Sequence, residues 1–220
     1  MTLLNLVKIP IKTIDLSPGS HLLIPEVSWE QYEALLVDLG EARRIPRINY
    51  CRGSLEIMSP LPAHERPHRI IADIVKAILD GQDRDWEDFG STTFKKPKQA
   101  GLEPDTCFYI QNAERVRSVT RLNMETDPPP DLAIEADVTS KTTLETYGAL
   151  GVPEVWIYDE GTLTIQQLRG DGYAAVNESG VFPDWPISTL IPGLITQALR
   201  LGTRQMLKQL RQRIQAGELP

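Results

Sequence analysis

Two acidic segments contain the residues whose types and spacing are best suited to chemistry. Asp105 follows Pro104 and precedes an apolar run, and Glu135 lies inside the apolar stretch 132–138. An unpaired charge in a buried strand is costly, so a carboxylate such as Glu135 requires a cation or solvent nearby. Because carboxylate oxygens are hard ligands for Mg²⁺, two such acids on neighbouring strands predict a divalent-metal site of the kind that hydrolyses phosphodiesters.

Two further residues follow Glu135 closely. Side chains at i and i+2 share a strand face, so Asp137 is a candidate third metal ligand beside Glu135. Lys141 is the next cation, placed to lower the pKa of an attacking water or to stabilise developing charge. Other interpretations stay open, since an Asp at a strand start, such as Asp105, is often a turn or cap residue and a single lysine is typical of a protein surface.

Glu56 and His64 are candidate accessory residues. The alternation in residues 54–58 places Leu55 and Ile57 on one strand face and Glu56 on the other. There Glu56 is either a metal ligand or water-holding carboxylate, or an exposed acid on a two-faced hairpin. His64 stands at the start of a helix predicted over 64–79, either facing the same site or exposed in the first turn.

A competing motif is the His-Glu-x-x-His pattern formed by His64, Glu65 and His68, which is typical of zinc hydrolases. That chemistry requires both histidines on one face of an established helix. Pro62 before the motif and Pro67 within it disfavour such a helix, because proline removes a backbone donor and restricts the residue before it. The sequence therefore argues against a zinc site.

Local signals place the elements that position these residues. Ser28 begins a capping box ahead of a helix that Gly40 ends, and Arg52-Gly53 joins two strands of a hairpin. A short helix ends at Gly151, and Asp159 begins a second hairpin turn. The other predicted elements are strands at 89–94, 105–111, 132–138 and 173–176, and a helix over 196–216.

The strand–helix–strand order between residues 132 and 158, flanked by hairpins, predicts an α/β fold around a mixed sheet. The length of 220 residues favours a single domain over 1–220, with an irregular lead-in at 1–27 and a C-terminal helix at 196–220.

Composition sets limits on location and partners. The formal net charge of −7 provides no global basic field for nucleic acid, although a local basic groove is compatible with it. Cys51 and Cys107 are too few for a disulfide framework and are expected to be buried thiols. With no signal peptide and no apolar run of ~20 residues, we expect a cytoplasmic protein without a membrane partner.

Four segments, taken in order, resemble a known family. They are residues 53–60 with His64, the pair Pro104-Asp105, residues 130–135 and residues 147–159. Together they are similar to the Uma-type "putative restriction endonuclease" family of the PD-(D/E)XK nuclease superfamily, over residues 28–182. The resemblance implies a restriction-endonuclease-like fold, with a mixed central sheet flanked by helices.

The resemblance also implies site residues and a cofactor, Mg²⁺ or Mn²⁺. The implied residues are the core metal carboxylates Asp105 and Glu135 and the accessory Glu56 and His64. The superfamily carries a lysine two residues after the second acid, where this chain has Asp137. Lys141 is the nearest candidate for that role.

Three functions remain open. The first is a metal-dependent DNA endonuclease, with arginines of residues 115–121 or the last helix contacting phosphates. The second is a catalytically weakened nuclease fold that acts as a nucleic-acid or protein interaction module. The third is a homodimer with a cytoplasmic housekeeping role and no nucleic acid. A basic stripe of the last helix favours the first two if it faces the cleft and the third if it lies opposite; it consists of Arg200, Arg204, Lys208 and Arg211.

Overall fold

The strands of this protein form two separate sheets. A computed structural model describes residues 15–40, 46–59, 62–136, 141–170 and 172–219, without the side chains of residues 62–65 and 141–142. The strands are β1 (His21–Ile24), β2 (Arg47–Cys51), β3 (Ser54–Met58), β4 (Glu87–Asp88), β5 (Phe94–Lys96), β6 (Ala100–Leu102), β7 (Thr106–Tyr109), β8 (Leu132–Ala136), β9 (Glu154–Asp159), β10 (Thr162–Arg169) and β11 (Gly172–Val176). The helices are α1 (Trp29–Leu39), α2 (Pro62–Gly81), α3 (Ala113–Val116), α4 (Lys141–Leu150), α5 (Ile187–Leu201) and α6 (Thr203–Gln215).

The first sheet has five strands in the order β1-β3-β2-β6-β5, all paired antiparallel. The predicted hairpin of β2 and β3 is confirmed, and its turn needs positive φ angles of 44° at Arg52 and 94° at Gly53. One face of this sheet packs its apolar side chains against Trp29 and Tyr32 of α1. The opposite face of this sheet has polar side chains that point toward the second sheet.

Helix α1 begins as the sequence predicts. The backbone N–H of Gln31 donates to Ser28 Oγ at 3.2 Å, and the Ser28 N–H donates to Gln31 Oε1 at 2.7 Å. This reciprocal pair is a capping box, which satisfies two backbone donors that the first helical turn leaves open. Gly40 ends the helix with a φ of 82°.

The second sheet has six strands in the order β11-β10-β9-β8-β7-β4. Only β8 and β9 pair in parallel among the described strands, with α4 as their crossover, and the sheet is therefore mixed. Side chains of one parity, such as Phe108 and Ile134, pack against α2, α5 and α6. Those of the other parity, such as Tyr109 and Ala133, pack against Tyr147 of α4 and against β5 and β6. The predicted α/β class with a mixed sheet is confirmed.

Several predicted boundaries are wrong. The lead-in predicted as irregular contains β1, which pairs with β3. The predicted strand at 89–94 is replaced by β4, a turn and β5, because Gly90 adopts a φ of 54° between them. The predicted C-terminal helix is two helices, since Gly202 has a φ of 89° that an α-helix does not accommodate. Leu199, an apolar residue within the predicted helix, is 58% exposed.

The two cysteines are unbridged and buried, as expected. Burial raises the pKa of both thiols, most strongly that of Cys107, so neither is a ready nucleophile. Within the described ranges, no helix combines the length and the apolar character needed to cross a lipid bilayer.

Candidate active site at the junction of the two sheets

Asp105, the residue immediately before β7, lies beside Glu135 of the neighbouring strand β8 in the second sheet. The register pairs Thr106 with Ile134, so the next position outward brings Asp105 opposite Glu135. The carboxylate of Asp105 also accepts a hydrogen bond at Oδ2 from the N–H of Ala136, at 2.6 Å. This bond fixes Asp105 against the end of β8, and the structure thereby brings together the two acids that the sequence selects.

Glu135 is 6% exposed and accepts a hydrogen bond at Oε1 from the hydroxyl of Tyr147 on α4. Burial raises the pKa of Glu135 to about 7, because the ionised form loses hydration. The Tyr147 hydrogen bond and the charge of Arg47 act to lower this pKa, whereas the charge of Glu56 acts to raise it. A cation brought to this carboxylate would therefore favour its ionised form.

Arg47, the first residue of β2, reaches the second sheet and forms a buried ion pair with Asp105 Oδ1. The sequence alone predicts a hairpin around Arg52-Gly53 but does not select Arg47 as a site residue. The signal that would have selected it is the hairpin register, because Arg47 has the same face parity as Asn49, whose pairing partner is Glu56. A buried guanidinium thus lies among the candidate metal carboxylates.

Glu56 is fully buried, at 0% exposure, and lies opposite to the face of Leu55 and Ile57 as predicted. The alternative of an exposed acid on a two-faced hairpin is wrong. Neither of its carboxylate oxygens has a hydrogen-bond partner among the residues that the structure describes. A buried acid with two open acceptor atoms is expensive unless a cation is close, and Arg47 is its diagonal neighbour across the β2–β3 pair.

His68 of α2 lies on the Asp105 side of the site, with its Nδ1 3.8 Å from Asp105 Oδ2. The prediction that prolines prevent a helix through residues 64–68 is wrong, because α2 begins at Pro62 and continues through Pro67. Pro67 lies near the helix start, where its missing N–H costs at most one backbone bond. The side chain of His64 lies outside the described residues, and its role stays a prediction.

Two further candidates, Asp137 and Lys141, follow Glu135 in the sequence. Asp137 lies outside the described residues. Lys141 is the first residue of α4, but its side chain is also outside them. Within the described part of the chain, no three His, Cys, Asp or Glu side chains are grouped closely enough to hold a metal ion by themselves.

Two other acids of the resembling segments have structural roles. Asp131 is buried, and its Oδ2 accepts the backbone N–H groups of Ile110 at 2.7 Å and Gln111 at 2.9 Å. Glu154 is also buried and accepts from the indole of Trp156 at 2.7 Å and from the Gly180 N–H at 2.7 Å. Both carboxylates satisfy donors of local turns, which explains their presence without chemistry.

A cavity of about 420 Å³ leads from the surface to Asp105 between α2 and the turn that follows β4. His68 and Arg69 line one wall and Ser91 lines the opposite side. Lys76, deeper along α2, forms an ion pair at 2.6 Å with Asp88. The cavity has the size of a small-ligand site and provides a route from solvent to Asp105.

The basic residues of the C-terminal region do not reach this site. Arg200 lies on α5 and the other three on α6, all of them exposed. Both helices cover the sheet face opposite to Glu135. The predicted stripe therefore lies away from the cleft, the placement that favours the third function, a homodimer without a nucleic-acid role. Arg117 of the predicted phosphate-contacting connection is engaged in exposed ion pairs with Asp85 at 2.9 Å and Glu87 at 3.1 Å.

Comparison with known proteins is informative at the level of the family. No curated protein matches the sequence. The fold is similar to the 1.96 Å crystal structure of a "putative nuclease belonging to DUF820" from Anabaena variabilis ATCC 29413, with a TM-score of 0.44 and 16% identity over 69% of this chain and 85% of that one. Residues 29–200, well over half of the chain, match the family Uma2, described as "Putative restriction endonuclease". This chain belongs to the Uma2 family.

Proposed function

We propose that this protein is a metal-dependent endonuclease that hydrolyses phosphodiester bonds of DNA. The observation that carries the proposal is the proximity of Asp105 to Glu135 of β8, with a cavity open to solvent that reaches Asp105. Membership in a family described as "Putative restriction endonuclease" supports the nuclease class. The buried acids supply the negative charge that a divalent ion requires.

The donor set fits Mg²⁺, with Mn²⁺ as the alternative. Asp105 and Glu135 offer hard oxygen atoms, and Mg²⁺ is commonly held by one or two carboxylates with water and substrate phosphates completing the shell. That mode does not require a third protein ligand among the described residues, and Asp137 stays a candidate. When bound, such an ion supplies Lewis-acid activation of the phosphate and of a water molecule.

Hydrogen bonds within the protein orient the two carboxylates for this chemistry. Tyr147 fixes one oxygen of Glu135, and the Ala136 N–H fixes one oxygen of Asp105, so both carboxylates are oriented before substrate arrives. Lys141 is proposed to assist the attacking water, and His64 to support the site from α2. DNA phosphates are proposed to enter through the cavity beside Arg69.

The test is cleavage of supercoiled plasmid DNA with Mg²⁺, Mn²⁺ or EDTA, using the parent, Asp105→Ala and Glu135→Ala. We expect metal-dependent nicking by the parent and a loss of at least about a hundredfold in each variant. Glu125→Gln, an exposed position, is the matched control and is expected to retain parental activity. Parental activity in Asp105→Ala or Glu135→Ala would exclude the site as proposed.

The second candidate function is a nuclease fold that binds nucleic acid or protein without cleaving. Asp137 at the superfamily lysine position and the ion pair of Arg47 with Asp105 favour it, since both alter the usual site. DNA binding in a salt-titrated gel shift, without metal-dependent cleavage, selects this function.

The proposed endonuclease is also proposed to be a cytoplasmic homodimer, with one site for each strand of duplex DNA. Light scattering after size exclusion tests the dimer.

A further inference from the structure

Arg47 has two carboxylates within the reach of its side chain, and only one of them is paired with it. Asp105 is ion-paired with Arg47, whereas Glu56 is fully buried with both oxygens unpaired among the described residues. We propose that Arg47 is a resident cation that occupies Asp105 until a divalent metal binds, and that Glu56 is the second partner to which Arg47 then moves. The inference rests on the proposed metal-binding function of Asp105.

The contacts of Asp105 explain the competition. Its Oδ1 pairs with Arg47, and its Oδ2 accepts the Ala136 N–H and faces His68. Both oxygens are thus engaged, and a metal ion that binds Asp105 meets the guanidinium directly. Two cations in contact with the same buried carboxylate repel each other, because a partly buried site screens charge less than water does. Metal binding therefore requires Arg47 to leave.

The register of the first sheet provides the place to which Arg47 moves. Arg47 pairs with Met58 and Asn49 pairs with Glu56, so Arg47 and Glu56 are diagonal neighbours on one face. Diagonal positions across an antiparallel pair are within reach of a long side chain. Glu56 can accept a bidentate guanidinium because both its oxygens are open. This explains why a buried carboxylate without a hydrogen-bond partner is present at all.

In this arrangement Glu56 is a positioning residue that acts through Arg47, and a simple ligand role for it makes a different prediction. A direct ligand strengthens metal binding whether or not Arg47 is present. A second partner for Arg47 strengthens metal binding only while Arg47 is present, because it lowers the free energy of displacing the guanidinium. The two roles separate in a double-mutant cycle.

The experiment measures Mn²⁺ affinity by electron paramagnetic resonance of the free ion, in the full chain without DNA. The variants are Arg47→Met, Glu56→Gln and the double variant, with circular dichroism and urea unfolding to confirm the fold. Arg47→Gln is the second neutral variant should Arg47→Met fail to fold, and Arg47→Lys is the charge-retaining control. We expect Arg47→Met to bind Mn²⁺ about tenfold more tightly or better, and Arg47→Lys to stay near the parent.

Glu56→Gln is expected to weaken Mn²⁺ binding several-fold in the parent and to have no effect in the Arg47→Met background. Equal weakening in both backgrounds would show that Glu56 is a ligand and would overturn the inference. Unchanged or weaker binding in Arg47→Met, while the parent binds Mn²⁺, would overturn it and leave the proposed function intact. Absence of Mn²⁺ binding in the parent and in Arg47→Met alike would overturn the metal dependence itself.

Discussion

The hydroxyl of Tyr147, on α4, donates a hydrogen bond to Oε1 of Glu135, on β8. Helix α4 is the crossover between the two parallel strands, so the same connection that builds the sheet also orients one of its carboxylates. Burial raises the pKa of the Tyr147 hydroxyl well above its usual value, which keeps it a proton donor throughout the physiological range.

Tyr147→Phe should weaken metal binding in a pH-dependent way. The Tyr147 hydrogen bond lowers the pKa of Glu135, so its loss raises that pKa above about 7 and leaves less of the ionised ligand at neutral pH. We expect Mn²⁺ affinity to fall up to about tenfold at pH 7 and to approach the parental value near pH 9. An equal deficit at every pH would mean that Tyr147 shapes the site sterically.

Glu135 should make the fold less stable as the pH rises. Its pKa is about 7 in the folded protein against a usual value of 4.5, so the folded state holds more protons between these pH values. The free energy of unfolding contributed by this group is therefore present below about pH 4.5 and lost as the pH rises through 7. Urea unfolding at pH 5 and pH 8 should show that Glu135→Gln gains roughly 1–3 kcal/mol relative to the parent at the higher pH. A constant difference between variant and parent would contradict the raised pKa.

Glu56→Met should stabilise the protein while impairing cleavage. The substitution replaces a fully buried acid, whose oxygens lack hydrogen-bond partners among the described residues, by an apolar side chain of similar size. We expect the free energy of unfolding to increase by roughly 1–2 kcal/mol. Cleavage should fall, as is usual where function maintains an unfavourable group. Destabilisation would show that Glu56 has a compensating partner in the fold.

Asp131→Asn should lower the stability of the fold without affecting metal binding. The charged Oδ2 of Asp131 accepts two backbone N–H groups at the end of β7, and the neutral amide oxygen of the variant is a weaker acceptor. The free energy of unfolding should fall by roughly 1–3 kcal/mol, with Mn²⁺ affinity unchanged below the melting temperature. Asp105→Asn is the matched comparison, since it should abolish metal binding. A loss of Mn²⁺ affinity in folded Asp131→Asn would return this acid to the site.

Gly101→Ala should disrupt the first sheet. A Cβ atom on Gly101 would lie 2.5 Å from Cζ and 2.7 Å from Cε1 of Tyr32, a fully buried ring beneath β6. We expect a loss of roughly 2–4 kcal/mol in the free energy of unfolding. Tyr32→Leu introduced together with Gly101→Ala should recover part of that loss, because it removes the overlapping ring atoms. Additive losses in the double variant would contradict the overlap.

The sequence predicts best those features that are encoded locally. The capping box at Ser28, the hairpin turn at Gly53 and the end of α4 at Gly151 each depend on a few adjacent residues, and all three are confirmed. The proximity of Asp105 and Glu135 was predicted from acids placed beside two apolar strands, since strand alternation alone fixes only which side chains of one strand share a face.

The features that were missed depend on partners distant in sequence. The strand β1 forms because β3 offers it an edge, and Arg47 becomes a site residue because Asp105 lies across the junction. Neither partner is visible in the local pattern. The break at Gly202 was missed because apolar spacing continues on both sides of it, although glycine at that position favours the required φ of 89°.

Because the site lies between two sheets, it can form only after both parts of the chain have been synthesised. A nascent chain that ends before residue 132 contains Arg47, Glu56 and Asp105 but lacks β8, β9 and α4. Such a fragment cannot complete the second sheet, and it has no second carboxylate to oppose Asp105. A translation product interrupted before residue 132 would therefore lack the proposed cleavage activity.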